Sequence, residues 1–141
     1  MREAKIATAF LEHNGSILIL KRSKNVKTMK GKWAGISGYI ENESPLDAAI
    51  REIKEETGID KDKLRLLAKG DTIDVIDYEN NTIWKVHPFL FYTYDTNIRL
   101  EKEHDKYKWI KPEEIINYDT VPKLKEALYS CLEHLKEDIH K

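Results

Sequence analysis

The chain has 141 residues, of which 24 are Lys or Arg and 25 are Asp or Glu, for a formal net charge of −1. That length fits one domain spanning residues 1–141 with room for a real core. The charge balance excludes a protein that binds nucleic acid through overall basicity. No apolar run approaches the roughly 20 residues a membrane span needs, and the single cysteine, Cys131, has no partner for an internal disulfide.

Residues 5–12 and 16–21 are apolar and flank His13-Asn14-Gly15, a strong hairpin signal because Asn and Gly both tolerate positive φ. Residues 23–32 are polar and basic and read as a loop. Residues 33–43 alternate apolar with polar around two glycines, which suggests short strands broken by turns. The period then changes. Leu46, Ala49, Ile50 and Ile53 follow helical spacing, with Thr57 continuing the stripe. Ser44 is a good N-cap, Pro45 suits the first helical position, Asp47 favours the first turn and Gly58 supplies the stop.

Residues 63–77 and 82–95 are rich in β-branched and aromatic residues on either side of Glu79-Asn80-Asn81, so a second hairpin is expected there. Residues 106–110 read as a further strand, and Pro112-Glu113-Glu114 as a short helical turn. A C-terminal helix is expected to begin at Thr120-Val121-Pro122, with Leu124, Ala127, Leu128, Cys131, Leu132 and Leu135 as its apolar stripe. Cys131 on that stripe reads as an inert packed thiol. The sum is a mixed sheet with one central and one C-terminal helix, packed in layers.

Glu52, Glu55 and Glu56 stand at i, i+3 and i+4 on the central helix, so three carboxylates share one face. Their mutual repulsion calls for a positive partner, and a hard cation such as Mg²⁺ takes carboxylate oxygens together with phosphates and water. A solvated acidic helix face explains the same three residues equally well. Arg51 can pair with Glu55 one turn on or with Glu43 before the helix.

The surrounding spacing decides between these readings. From Glu43 the chain runs through seven residues to Arg51-Glu52-Ile53, one residue, Glu55-Glu56, one residue, and Gly58-Ile59. This resembles the Nudix box, G-x5-E-x7-R-E-U-x-E-E-x-G-U with U a bulky aliphatic, over residues 37–59. One position departs: Ser37 stands where the leading glycine is expected, with Gly38 next to it. A backbone carbonyl ligand at that position survives the change to serine. Asn42, where glycine is also frequent, is expected to keep a positive-φ turn. Outside the box, the opening hairpin, Trp33 and the strand ending at Trp109 also have counterparts in the family.

The resemblance implies an α/β/α sandwich, a mixed sheet between helices. It also implies Mg²⁺-dependent hydrolysis of a phosphoanhydride bond in a nucleoside diphosphate derivative, with Mn²⁺ able to substitute. Carried over by position, Glu52, Glu55 and Glu56 would be metal ligands together with Ser37, and Arg51 and Glu43 the pair that orients them. A general base or further ligand would lie in Glu101-Lys102-Glu103-His104-Asp105; Glu103 is favoured, with Glu101 and His104 as alternatives, since Glu-His ahead of an aromatic and a tryptophan resembles the diadenosine tetraphosphate hydrolase branch. Read as a plain charge run, the same stretch is a solvated loop.

Arg22 and Lys32 are candidate phosphate contacts, and Tyr78 and Trp84 candidate base-stacking residues, although alternation sends about half of strand aromatics to the core. His87 reads as a packing or hydrogen-bonding residue. The implied partner is a small nucleotide: a nucleoside triphosphate first, a dinucleoside polyphosphate or nucleotide sugar as the alternative. A non-catalytic nucleotide-binding module is the reading from another class. The Lys-rich segment at residues 21–32 leaves an RNA-end substrate open. By family analogy a homodimer is expected, and the absence of a signal-peptide pattern points to the cytoplasm.

Overall fold

The computed structural model describes residues 1–139, with side chains as far as residue 135. Two long strands, β1 (Arg2–His13) and β7 (Thr82–Thr93), run parallel at the centre of a mixed sheet, in register from Arg2 opposite Thr82 to Glu12 opposite Tyr92. β1 turns through Asn14 and Gly15, both at positive φ, into β2 (Ser16–Arg22). Next come β3 (Trp33–Ala34), which pairs with β2, and β4 (Ile36–Tyr39), which pairs antiparallel with β1 from Ile6 opposite Tyr39 to Ala9 opposite Ile36. Beyond the central pair lie β5 (Leu64–Lys69) and β6 (Ile73–Asp77), both antiparallel to β7; β8 (His104–Ile110) closes the other side on β2.

The second hairpin thus differs from its sequence reading. Residues 63–77 do not form one arm: β5 and β6 pair with successive stretches of β7 and are parted at Gly70-Asp71-Thr72. Gly70 lies so close to Pro88, Cys131 and Ser130 that a side chain there would press on all three. The residues at the break therefore serve the packing of the C-terminal helix. That helix, α2, covers Leu124–Ile139 and begins later than Thr120, because Lys123 has φ 61 and Thr120 instead makes an isolated bridge to Trp33.

Alternation along the strands builds two cores, one on each face. Ala7, Ala9, Leu11, Leu18, Leu20, Phe89 and Phe91 meet Ala48, Ala49 and Ile53 of α1 (Pro45–Thr57). Phe10, Ile17, Ile19 and Leu90 on the opposite face meet Leu124, Ala127, Leu128 and Cys131 of α2. The layers are the expected α/β/α sandwich. Burial pushes the Cys131 thiol up to about 12, as befits a packed rather than a reactive cysteine.

Local chemistry fixes α1 at both ends. The Asp47 amide donates to Ser44 Oγ at 3.1 Å, Pro45 stands in the first turn, and Gly58 at φ 81 donates back to the Lys54 carbonyl.

Candidate active site

Each box residue has a distinct environment. Glu56 lies on the buried side of α1, with a side chain 5% exposed; Glu52, one turn back, is 13% exposed and Glu55 is 53% exposed. The three glutamates therefore grade from core to solvent. Burial, then the neighbouring Glu52 carboxylate, and beyond it Glu103 and Glu101, push the Glu56 carboxyl up to about 10. Glu52 is also raised, first by burial and then by Glu55, against the pull of Arg51.

Arg51 organises the rim. Its Nη2 and Nε donate to Glu43 at 2.6 and 3.1 Å, its Nη1 to Glu52 at 2.9 Å and, longer, to Glu55 at 3.4 Å, and its Nη2 also to the Tyr39 carbonyl at 3.0 Å. One guanidinium fork thus ties α1 to the loop before it and to the end of β4. Both pairings open in the sequence, to Glu43 and to Glu55, are made.

The glycine departure has a structural explanation. The Ser37 hydroxyl lies 2.8 Å from that of Thr8 across the β1–β4 pair, at an ordinary strand position, so serine fits there. The sterically demanding glycine is Gly38, where a Cβ would overlap the Glu52 carboxyl. Asn42 does not have the positive φ expected of it: outside glycine, the described residues reach positive φ at Asn14, Met29, Asn81 and Lys123. The turn at residues 41–43 is held instead by Glu43, whose carboxylate takes the Glu41 amide at 3.3 Å as well as Arg51.

The segment 101–104 faces Glu56 from the sheet side. Ser23 N–H donates to the Glu103 carbonyl at 2.8 Å, and His104 N–H to the Glu101 carbonyl at 3.1 Å, forming a turn pinned to the end of β2. His104 is buried, with Nε2 3.5 Å from Glu56 Oε1. Burial, then the charge of Arg22, lowers its pKa, so the imidazole is neutral near pH 7. Glu103, together with Arg22, Lys27, Thr28 and Lys102, lines a cleft of about 400 Å³. The Arg22 guanidinium donates to the Thr28 carbonyl at 3.0 Å from the wall of this cleft.

The remaining candidates scatter. Lys32 is held by Asp119 at 2.9 Å, and Tyr78 is 80% exposed at the turn between β6 and β7. Trp84 lies beside Ala4 and packs on Tyr39 with ring centroids 5.7 Å apart. His87 reaches Thr72 at 3.4 Å. Tyr39 was not singled out by sequence reasoning, though its place directly after Gly38 in the box was the available signal. His104 was an alternative for the base, but its direct pairing with Glu56 was not foreseen, and for a sharper reason. β8 keeps Lys106 opposite Lys21 but sets His104 opposite Arg22, an irregularity that inserts one extra residue. Simple alternation would send His104 to the α2 face; the bulge returns it to the α1 face, where Glu56 lies.

Among the described residues no three His, Cys, Asp or Glu side chains are gathered closely enough to close a ligand shell. Glu43 and Glu52 are drawn toward Arg51. A divalent cation nevertheless fits the donor set. Glu56 Oε2 is buried and without a hydrogen-bond partner, and the acidic groups around it are hard oxygen donors.

A layered mixed sheet carrying this arginine-and-glutamate helix defines a class of hydrolases that act on pyrophosphate bonds. The family model of the NUDIX domain matches residues 1–134, and the chain belongs to that family, the Nudix hydrolases. Among curated proteins it is 25% identical over 131 residues to the nucleoside triphosphatase NudI of an Escherichia coli strain, covering 84% of this chain and 89% of that protein. Its fold is similar to that of a MutT NUDIX hydrolase from Burkholderia pseudomallei, with TM-score 0.76 and 24% identity over 92% of this chain and 98% of the other. It is also similar to a C. elegans Ap4A hydrolase, with TM-score 0.75 and 21% identity over 97% and 99% of the two chains.

Proposed function

We propose that the chain hydrolyses a nucleoside triphosphate to a nucleoside monophosphate and pyrophosphate, with Mg²⁺ held by Glu52, Glu55, Glu56 and the Ser37 carbonyl. The observation that carries this reading is the buried carboxyl of Glu56, whose Oε2 lacks a partner while other carboxylates crowd it. A carboxyl in that setting is stable as an anion only when a positive charge is brought to it. The similarity to a nucleoside triphosphatase supports the choice of substrate class.

When bound, Mg²⁺ would neutralise phosphate oxygens and lower the pKa of a coordinated water. The residues supply the rest. Arg51 holds Glu52 and, through Glu43, the loop before α1, so the carboxylates need little reorganisation on binding. Glu103 would take the proton of the attacking water from its place opposite Glu56. Arg22, Lys27 and Lys102 would hold the departing phosphates in the cleft they line. Tyr39 and Trp84 form the aromatic pair best placed to stack a base.

A second reading, cleavage of a dinucleoside polyphosphate, draws support from the size of that cleft, which leaves room for a longer leaving group. The test is product analysis with Mg²⁺ over unmodified and oxidised nucleoside triphosphates, diadenosine polyphosphates, ADP-ribose and NADH, with Glu56→Gln as control. Metal-dependent cleavage lost in the variant supports the proposal, and the best substrate decides between the readings. Nucleotide binding without any cleavage would overturn it in favour of a binding module. A cytoplasmic setting belongs to the same proposal. No helix among the described residues is long and apolar enough to cross a membrane. The proposed homodimer rests on family analogy, and size-exclusion chromatography tests it.

A further inference from the structure

A buried histidine facing a buried glutamate, each with its other polar atom unsatisfied, is an expensive arrangement to keep in a core. His104 and Glu56 form such a pair. Their side chains are 1% and 5% exposed, Nε2 and Oε1 lie 3.5 Å apart, and His104 Nδ1 and Glu56 Oε2 have no hydrogen-bond partner. The bulge at the start of β8 exists at a cost in ladder pairing, and its effect is to set this imidazole on the face of α1. The turn that carries it is pinned twice, through Ser23 to Glu103 and through His104 to Glu101.

We propose that His104 is a positioning residue for the metal-ligating carboxylate of Glu56. Its Nε2–H holds Oε1, which fixes the carboxylate plane and leaves Oε2 as the oxygen presented to the cation. Without that contact Glu56 turns about its terminal torsion, which is broad and only weakly restrained by itself. The inference rests on the metal-dependent reading of the site but concerns a residue outside the box. It also explains the orphaned oxygen: Oε2 lacks a protein partner because that position belongs to the ligand.

The test separates the two ring nitrogens. The amide nitrogen of glutamine falls near Nε2, and that of asparagine near Nδ1. Mn²⁺ binding is titrated by electron paramagnetic resonance for the wild type, His104→Gln, His104→Asn and His104→Leu, with Glu56→Gln as reference and circular dichroism to check folding. His104→Gln is expected to bind within a few-fold of the wild type, whereas His104→Asn and His104→Leu lose about 10- to 100-fold. If the leucine variant does not fold, the glutamine and asparagine pair gives the answer alone. Equal binding in glutamine and asparagine variants, whether retained or lost, would overturn the positioning role and leave the metal site standing. Wild-type binding no tighter than that of Glu56→Gln would instead remove the metal site, and the inference with it.

Discussion

Replacing Glu56 by glutamine is expected to stabilise the metal-free protein, because the carboxyl is held in surroundings that oppose its ionisation. Its ordinary value of 4.5 is raised to about 10 by burial and by Glu52, Glu103 and Glu101. Below pH 4.5 the group is protonated in both the folded and the unfolded chain and folding is unaffected. Above that, the unfolded chain releases the proton and the folded chain keeps it, so stability falls as pH rises until the folded group itself ionises. Each pH unit in this window costs roughly 1.4 kcal/mol, so at pH 7 the deficit is about 3 kcal/mol. At roughly 3 °C per kcal/mol for a domain of this size, that is a Tm difference of about 10 °C.

Thermal and urea unfolding in EDTA at pH 5, 6, 7 and 8 would measure it. The advantage of Glu56→Gln should widen with each step in pH, a trend that isolates this group from the other carboxylates. Mg²⁺ or Mn²⁺ at about a thousand times Kd should reverse the order at pH 7 by stabilising only the wild type, by about 4 kcal/mol. A glutamine variant no more stable than the wild type at pH 8 in EDTA, or an advantage that does not change with pH, would refute the reasoning.

Other substitutions probe the supports of the site. Gly38→Ala should leave the circular dichroism spectrum intact but displace the Glu52 carboxyl, reducing metal binding at least about tenfold in a Mn²⁺ titration. Arg51→Lys gives up the fork that spans Glu43, Glu52 and the Tyr39 carbonyl, so it should lower stability in urea by about 2 kcal/mol despite keeping the charge. Ser44→Ala removes the cap on Asp47 N–H and should cost about 1 kcal/mol in the same assay with turnover unchanged. Glu103→Gln should lower turnover by about 100-fold while Mn²⁺ affinity falls much less, if this residue takes the proton as proposed.

What could be read from the sequence was what is encoded locally. α1, its cap at Ser44, its stop at Gly58 and the order of its glutamates are all set within the 15 residues from Ser44 to Gly58, where period and spacing speak directly. The same holds for the Asn14-Gly15 turn. The break at Gly70 was not legible, because its cause lies in Pro88 and in Ser130 and Cys131, far along the chain. The late start of α2 follows from Lys123 taking a left-handed conformation that its residue type does not announce. The face that His104 occupies was concealed by one inserted residue that inverts the side assigned by alternation. Asn42 was misread because glycine's usual reason for standing at such a position was transferred to a residue that a carboxylate could hold another way.

The parallel pairing of β1 with β7 also sets the order in which the molecule can assemble. The first strand of the chain finds its main neighbour only among residues 82–93, some 80 positions later, and nothing shorter than a chain through Tyr92 can complete that ladder. During synthesis α1 and the hairpin before it therefore emerge well before the strand against which their shared core closes. The entropy of joining such distant segments falls due before the sheet returns any contacts. Refolding should consequently be governed by this one long-range closure. Truncation before residue 82 should yield a chain with the full box motif and no lasting sheet to display it.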